Sequence, residues 1–133
     1  MVEIRKYNRN RDQDLLIELM KREGDDWSCY LNAKTLPKYL IVLDTSITYV
    51  AYEEESLCGY VRGIDDYGIY IYLCDLLVDK KYRGRAIGKK LMEAVLDDFP
   101  DSIVYVMSDV DEYYQKLGFI KEGSVFRVMN SNK

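Results

Sequence analysis

The spacing of apolar positions along the chain changes several times, and each change predicts a different element. Residues 2–6 alternate weakly, as a strand does. Asn10, with Gln13 three residues later, reads as a capping-box start for a helix that carries Leu15, Leu16, Leu19 and Met20 and ends near Gly24. An irregular stretch with Asp25, Asp26, Trp27 and Tyr30 follows. A second short helix then holds Leu36, Tyr39, Leu40 and Leu43, with Pro37 near its first turn.

From Ser46 onward β-branched and aromatic residues dominate, predicting strands over 46–53 and 57–64 around the polar turn Glu54-Glu55-Ser56. Asp65-Asp66-Tyr67-Gly68 reads as another hairpin turn. Residues 69–78 are apolar almost throughout, which suits a strand covered on both faces, and Asp75 is the charge that needs explaining there. A helix beginning near Ala86 places Ile87, Leu91, Ala94 and Val95 on one stripe and stops at Pro100. Residues 103–107 read as a strand, so strand, helix and strand imply a parallel pair. Ser108 or Asp109 caps a short helix through Leu117, and final strands are expected over 119–121 and 125–129. The order predicts an α/β or α+β architecture, a mixed sheet with helices on its faces.

Composition narrows the function classes. A chain of 133 residues is the size of one domain, so a single domain over 1–133 is expected, and 48% apolar with 32% charged residues is a globular balance. A net charge of −4 argues against a general nucleic-acid binder. Cys29, Cys58 and Cys74 form no C-x-x-C pair and the chain has no histidine, so no metal site and no disulfide framework is expected. The charged N-terminus and the lack of a membrane-length apolar run make the cytoplasm the expected compartment, with no membrane partner.

The chemistry concentrates after the apolar strand. A strand running into Arg83-Gly84-Arg85-Ala86-Ile87-Gly88-Lys89 and then a helix presents unpaired N–H groups at the helix start, a setting for an anion. Lys80, Lys81, Arg83, Arg85, Lys89 and Lys90 surround it, and locally only Asp79 opposes them. Gly84 to Gly88 is one residue short for a Walker loop, with Lys90 at the hydroxyl position, and the glycine spacing of a dinucleotide fold is absent.

Asp75-Leu76-Leu77-Val78, then Lys81 through Gly88 and Leu91, resembles the acetyl-CoA signature of the GNAT N-acetyltransferase superfamily. Tyr113-Tyr114-Gln115-Lys116-Leu117-Gly118-Phe119 resembles that family's later motif. The resemblance implies a central, mixed, mostly antiparallel sheet with helices on both faces and a parallel pair at the acetyl-CoA site. It implies that Arg83, Gly84, Arg85, Ala86, Ile87, Gly88 and Lys89 hold the coenzyme pyrophosphate, and that backbone N–H groups of Leu76, Leu77 and Val78 hold the pantetheine arm and thioester carbonyl. Ala86 stands where the family pattern has its first glycine, and a negative φ is expected for it at a helix start.

The implied reaction moves an acetyl group from acetyl-CoA to a primary amine of a small molecule or protein, by direct attack in a ternary complex. It needs a deprotonated amine, a stabilised oxyanion and a proton for the leaving thiolate. Tyr114 matches the tyrosine that supplies this proton in many members; the other reading is a packing tyrosine, in a chain with 13 of them. Asp75 is the nearest carboxylate, either a general base or hydrogen-bonded structure, because Cys74 occupies the place of a glutamate seen in polyamine-type members. With no histidine to activate it, Cys74 is not expected to be a nucleophile. Asp25, Trp27 and Tyr30 fall in the region that lines the acceptor pocket in the resembling family; equally, the acids are solvated and Trp27 closes the core. Homodimers are common in that family. Two other readings stay open: a non-catalytic acyl-CoA-binding regulatory module of the same fold, and a small interaction domain.

Overall fold

Asn8 sits in extended backbone after β1 (Val2–Lys6) and folds its own side chain over the helix that follows. In the computed structural model, which describes residues 1–131, Asn8 Oδ1 accepts the N–H groups of Asn10 and Arg11 at 3.0 and 3.3 Å. Asp12 Oδ2 accepts the Asn8 N–H in return at 2.7 Å. The helix cap is therefore Asn8 and not Asn10, because only Asn8 has both the extended backbone and a reciprocating carboxylate. The helix α1 (Arg9–Glu23) buries Leu16, Leu19 and Met20 and leaves Leu15 at its margin. Gly24, at φ +105°, ends it in a conformation that a side chain would oppose.

The irregular stretch resolves into a single 3-10 turn, Asp25–Trp27, and the short helix α2 (Ser28–Leu31). The predicted second helix is α3 (Leu36–Thr45), with Pro37 in its first turn. Strands β2 (Ile47–Glu53), β3 (Ser56–Asp65) and β4 (Tyr70–Val78) follow, then α4 (Ile87–Asp98), β5 (Ile103–Val106) and α5 (Asp111–Lys116). The sheet runs β1-β2-β3-β4-β5, antiparallel except for the parallel β4/β5 pair. One face packs Val50, Tyr52, Tyr60 and Leu77 against Leu16, Leu19 and Met20 of α1 and Tyr39 and Leu43 of α3. The other packs Val61, Ile71 and Leu73 against Ile87, Leu91, Met92 and Val95 of α4. The predicted sheet with helices on both faces is thus the observed one.

Two irregularities in β4 position everything that follows. Arg62 pairs with Asp75 while Gly63 pairs with Leu73, so Cys74 is an extra residue, a β-bulge. Because side chains alternate with period two, that residue reverses the facing of the rest of the strand. Ile71 and Leu73 join the α4 side, whereas Leu77 joins the α1/α3 side and Leu76 and Val78 turn to α4. The second irregularity is that the β4/β5 ladder stops at Leu73↔Val106, with Met107 N–H donating to Leu73 O at 2.9 Å as the last bond. Beyond it, the edge of β4 from Cys74 to Val78 that faces away from β3 has no strand beside it among the described residues.

The expected strands over 119–121 and 125–129 are absent; these residues carry no regular structure, and Ile120, Phe126 and Val128 are exposed. Their β propensity is real, but a strand needs a ladder partner and these residues meet none. Phe119 instead stacks on Tyr114, with ring centroids 6.1 Å apart, and its N–H donates to Tyr114 O at 3.1 Å, closing α5. Among the described residues no helix is long and apolar enough to cross a membrane.

Asp12 gives the fold a pH dependence. Burial pushes its carboxyl up, but hydrogen bonds from Arg11, the Tyr52 hydroxyl and the Asn8 N–H outweigh burial and hold it below the usual range. A lowered folded-state value stabilises the protein above the unfolded carboxyl range near pH 4 and is lost as pH falls through the folded value. Asp12→Asn should therefore cost about 2 kcal/mol in urea unfolding at pH 7, and the gap from wild type should narrow at pH 3. A gap that stays constant with pH would show that the Asp12 charge contributes nothing.

Candidate active site

The turn from β4 to α4 is built from fixed ion pairs on one side and open donors on the other. Asp79 Oδ1 caps the 3-10 turn Lys80–Tyr82 through Lys81 N–H, and its Oδ2 takes Arg22 of α1 at 3.0 Å. The acid expected to oppose the basic loop is therefore already paired. Arg83 donates from Nε to Val78 O at 3.0 Å and from Nη2 to Glu23 at 2.8 Å. Its guanidinium ties the loop to β4 and α1, so the loop's unpaired positive charge comes from neighbours. Arg85, lying over the Tyr82 ring at 5.2 Å, and Lys89 are exposed and have no ion pair among the described residues.

Ala86 is the N-cap of α4, and its φ is +60°, not the negative value expected. The chain has four residues, 83–86, in which to turn from the 3-10 helix into α4, and it uses left-handed backbone at both Gly84 (φ +86°) and Ala86. A methyl side chain cannot cap a helix, and α4 has no acidic residue in its first turn. Its first N–H groups therefore have no cap among the described residues, and they form the positive end of the helix dipole. Those are the donor groups an anionic phosphate requires.

Gly88 is buried in the first turn of α4, and a β-carbon there would collide with the Tyr113 hydroxyl, with Leu76 Cδ2 3.6 Å away. Its glycine is set by this close approach. Tyr113 and Tyr114 meet edge to face at 5.0 Å. Tyr114 packs against the α4-side core, and burial, with Tyr113 and Asp109 nearby, pushes its phenol up to about 12. It is fully protonated near neutrality. Its contacts are those of a packing tyrosine, and the phenol keeps its proton.

On the opposite face of β4 the bulge delivers Asp75 into a set of hydroxyls. Oδ1 accepts the Tyr30 hydroxyl at 2.8 Å; Oδ2 accepts Tyr39 at 2.7 Å and Arg62 Nε at 2.5 Å. Tyr39 and Tyr60 share a further hydrogen bond at 2.8 Å. Burial tends to lower the Arg62 pKa, but Asp75 more than reverses this and keeps it charged. Burial, then Asp75, pushes the Tyr30 phenol up to about 12. Trp27 lies 6.0 Å from the rings of both Tyr30 and Tyr60. Of the three expected acceptor-pocket residues, Trp27 and Tyr30 gather over Asp75, whereas Asp25 is exposed on the loop. Burial also raises the Cys74 thiol, which stays protonated.

Arg62, Tyr39, Tyr60 and Glu23 were not singled out by sequence reasoning. A signal existed for Arg62, the lone cation in the apolar run 57–64, opposite the lone anion of the run 69–78. Two isolated opposite charges on neighbouring strands are a pairing signal.

The Acetyltransferase (GNAT) domain matches residues 44–121. The chain belongs to the GNAT acetyltransferase family. A chloroplastic GCN5-related N-acetyltransferase 2 from Arabidopsis thaliana is 35% identical over 72 residues, covering 50% of this chain and 28% of that protein. The aligned part thus spans less than a third of that relative's length. Among solved structures, a GNAT family acetyltransferase from Streptococcus pneumoniae superposes with a TM-score of 0.74 at 19% identity, covering 98% of this chain and 99% of the other. Glucosamine-6-phosphate N-acetyltransferase from Arabidopsis thaliana does so at 0.70 and 17% identity, covering 97% and 98%. At such identities the structural likeness speaks for the fold.

Two substitutions test the loop. Ala86→Gly should relieve left-handed strain of about 1 kcal/mol, raising the melting temperature by roughly 2–6 °C; an unchanged or lower value would mean that φ at this position is not positive. Gly88→Ala should cost about 1–3 kcal/mol from overpacking, and clearly less in a Tyr113→Phe background. Equal costs in both backgrounds would separate Gly88 from Tyr113.

Proposed function

We propose that this chain moves an acetyl group from acetyl-CoA to a primary amine by direct attack in a ternary complex. The observation that carries this reading is the coincidence of two sets of free backbone groups: the unpaired edge of β4 beyond Leu73 and the uncapped start of α4. A pantetheine amide can take up the first and a pyrophosphate the second. In this reading the segment Leu76, Leu77 and Val78 offers main-chain groups, other than the Val78 oxygen already taken by Arg83, to the pantetheine arm and thioester carbonyl. The N–H groups of Ile87, Gly88 and Lys89, with the side chains of Arg85 and Lys89, hold phosphate. Gly84 and Ala86 shape the turn, and Arg83 fixes it to α1.

The coenzyme supplies an activated acetyl thioester; the chain supplies placement and protons. Tyr114 gives its phenolic proton to the leaving sulfur, and Trp27 and Tyr30 border the acceptor. The acceptor is a small-molecule or protein amine. The three cysteines are unpaired, which fits a reducing compartment such as the cytoplasm. One observation favours a second reading, coenzyme binding without turnover: the only carboxylate on β4, Asp75, is already held by three donors.

Acetyl-CoA at about one hundred times its dissociation constant should add roughly 2.7 kcal/mol of stability. No shift in melting temperature at millimolar coenzyme would sink both readings. Release of free thiol should then be followed with a polyamine, an amino-sugar phosphate, a lysine-containing peptide and a peptide with a free N-terminus. Binding without release from any of them selects the second reading.

Tyr114→Phe should lower kcat by about a hundredfold or more while leaving coenzyme affinity unchanged. Because the phenol is held near 12, wild-type kcat should show no alkaline limb from it below about pH 11. Undiminished turnover in the variant removes Tyr114 from the mechanism.

A further inference from the structure

The network around Asp75 is buried except at Tyr30. Tyr39, Tyr60, Arg62 and Asp75 are 4%, 0%, 7% and 5% exposed, so none of them can meet a substrate without rearrangement. Tyr30 alone is only partly buried. It comes from α2, in the loop that begins at Gly24, and stacks on Tyr39 with ring centroids 4.1 Å apart. Its hydroxyl donates to Asp75 Oδ1, which leaves its oxygen with lone pairs and no proton to offer.

We propose that Tyr30 Oη is the group that receives the acceptor amine, and that Asp75 is a positioning residue acting through Tyr30 and not the base that deprotonates the amine. This rests on the acetyl-transfer reading and assigns the acceptor end of that site.

The geometry around Asp75 decides its role. A general base must reach the proton it removes. Asp75 is instead enclosed, and its two oxygens face Tyr30, Tyr39 and Arg62. It pairs with a guanidinium whose side chain is 8% exposed and which has no other carboxylate partner among the described residues. Asp75 therefore orients the Tyr30 hydroxyl and holds α2 to the bulge of β4. The bulge lies one residue before Asp75 and immediately precedes the unpaired edge of β4. Tyr30 Oη is thus hydrogen-bonded to the strand that would carry the thioester, on the side of the acceptor loop. Accepting one N–H of a neutral amine there orients the nitrogen, and the amine enters having lost its extra proton to water.

The ligand class that follows is an amine with at least two N–H bonds, one for Tyr30 and one lost on acetylation. Secondary amines should be poor acceptors even when they fit.

The experiment uses the full chain, acetyl-CoA and the primary amine from the panel that turns over best. Tyr30→Phe should raise KM for that amine about tenfold, leave coenzyme KM unchanged and shift the melting temperature little. The N-methylated form of the same amine should be poor with wild type and gain nothing further from losing the hydroxyl. Asp75→Asn keeps an oxygen for Tyr30, so it should retain activity within about tenfold of wild type. The midpoint of its kcat/KM profile should move with the pKa of the amine used, as in wild type.

An unchanged amine KM in Tyr30→Phe overturns the proposal, as does a parallel rise of both KM values. A loss of about a hundredfold or more in a folded Asp75→Asn would make Asp75 the base and overturn it too. If Asp75→Asn does not fold, the Tyr30→Phe and N-methyl comparisons decide. Wild-type protein that acetylates no amine defeats the acetyl-transfer reading itself, whereas active wild type with indifferent Tyr30→Phe defeats only this inference.

Discussion

One extra residue in β4 is the constraint on which the site depends. Without the bulge at Cys74, period-two alternation would put Leu73, Asp75 and Leu77 on one face, driving a carboxylate into the apolar packing beneath α4. With it, Leu73 stays with Ile87 and Leu91 while Asp75 crosses to the tyrosines of the α1/α3 face. The same strand can then bury a hydrocarbon layer on one side and an ion pair on the other. The bulge also sits where β5 leaves β4, so the reversal of side-chain facing and the loss of the ladder occur together.

The two faces meet again at the end of α1. Arg22 and Glu23 of its last turn hold Asp79 and Arg83 of the basic loop, and Gly24 then starts the segment that carries Trp27 and Tyr30. Surface ion pairs such as these contribute little to stability singly. Their effect here is positional. The turn that offers N–H groups to phosphate and the segment that leans over Asp75 are fixed to the same helix end, one on each side of a glycine. Pairing Asp79 with Arg22 also takes up the one acid of the loop itself.

Much of this was legible in the sequence because it is periodic. All five strands, the three longer helices and the faces they bury follow from spacing and residue type, and the lone charge in an apolar run marked Asp75 as the residue requiring a partner. What escaped was decided by geometry between distant residues. Asn8 outcompetes Asn10 as a cap through its backbone angles and Asp12. Ala86 takes positive φ because the loop has few residues in which to turn, which local propensity does not encode. Residues 119–129 have strand composition but pair with no strand of the sheet. The bulge itself is invisible to alternation counting in a strand apolar on both faces, since either register looks equally apolar.

The ion pair at the centre of the site is a costly choice for a core. Removing two charges from water is repaid only when geometry and further hydrogen bonds are good, and well-packed apolar residues of similar size often stabilise as much. Asp75 meets that condition with two phenols in addition to Arg62, and all three partners come from different elements: α2, α3 and β3. An apolar replacement could fill the volume but could not specify where α2 sits, because hydrophobic contact is not directional. A buried carboxylate with fixed acceptor directions can. The network therefore makes sense less as a source of stability than as the means by which a four-residue helix, too short to hold its own position, is set at a defined place against the strand.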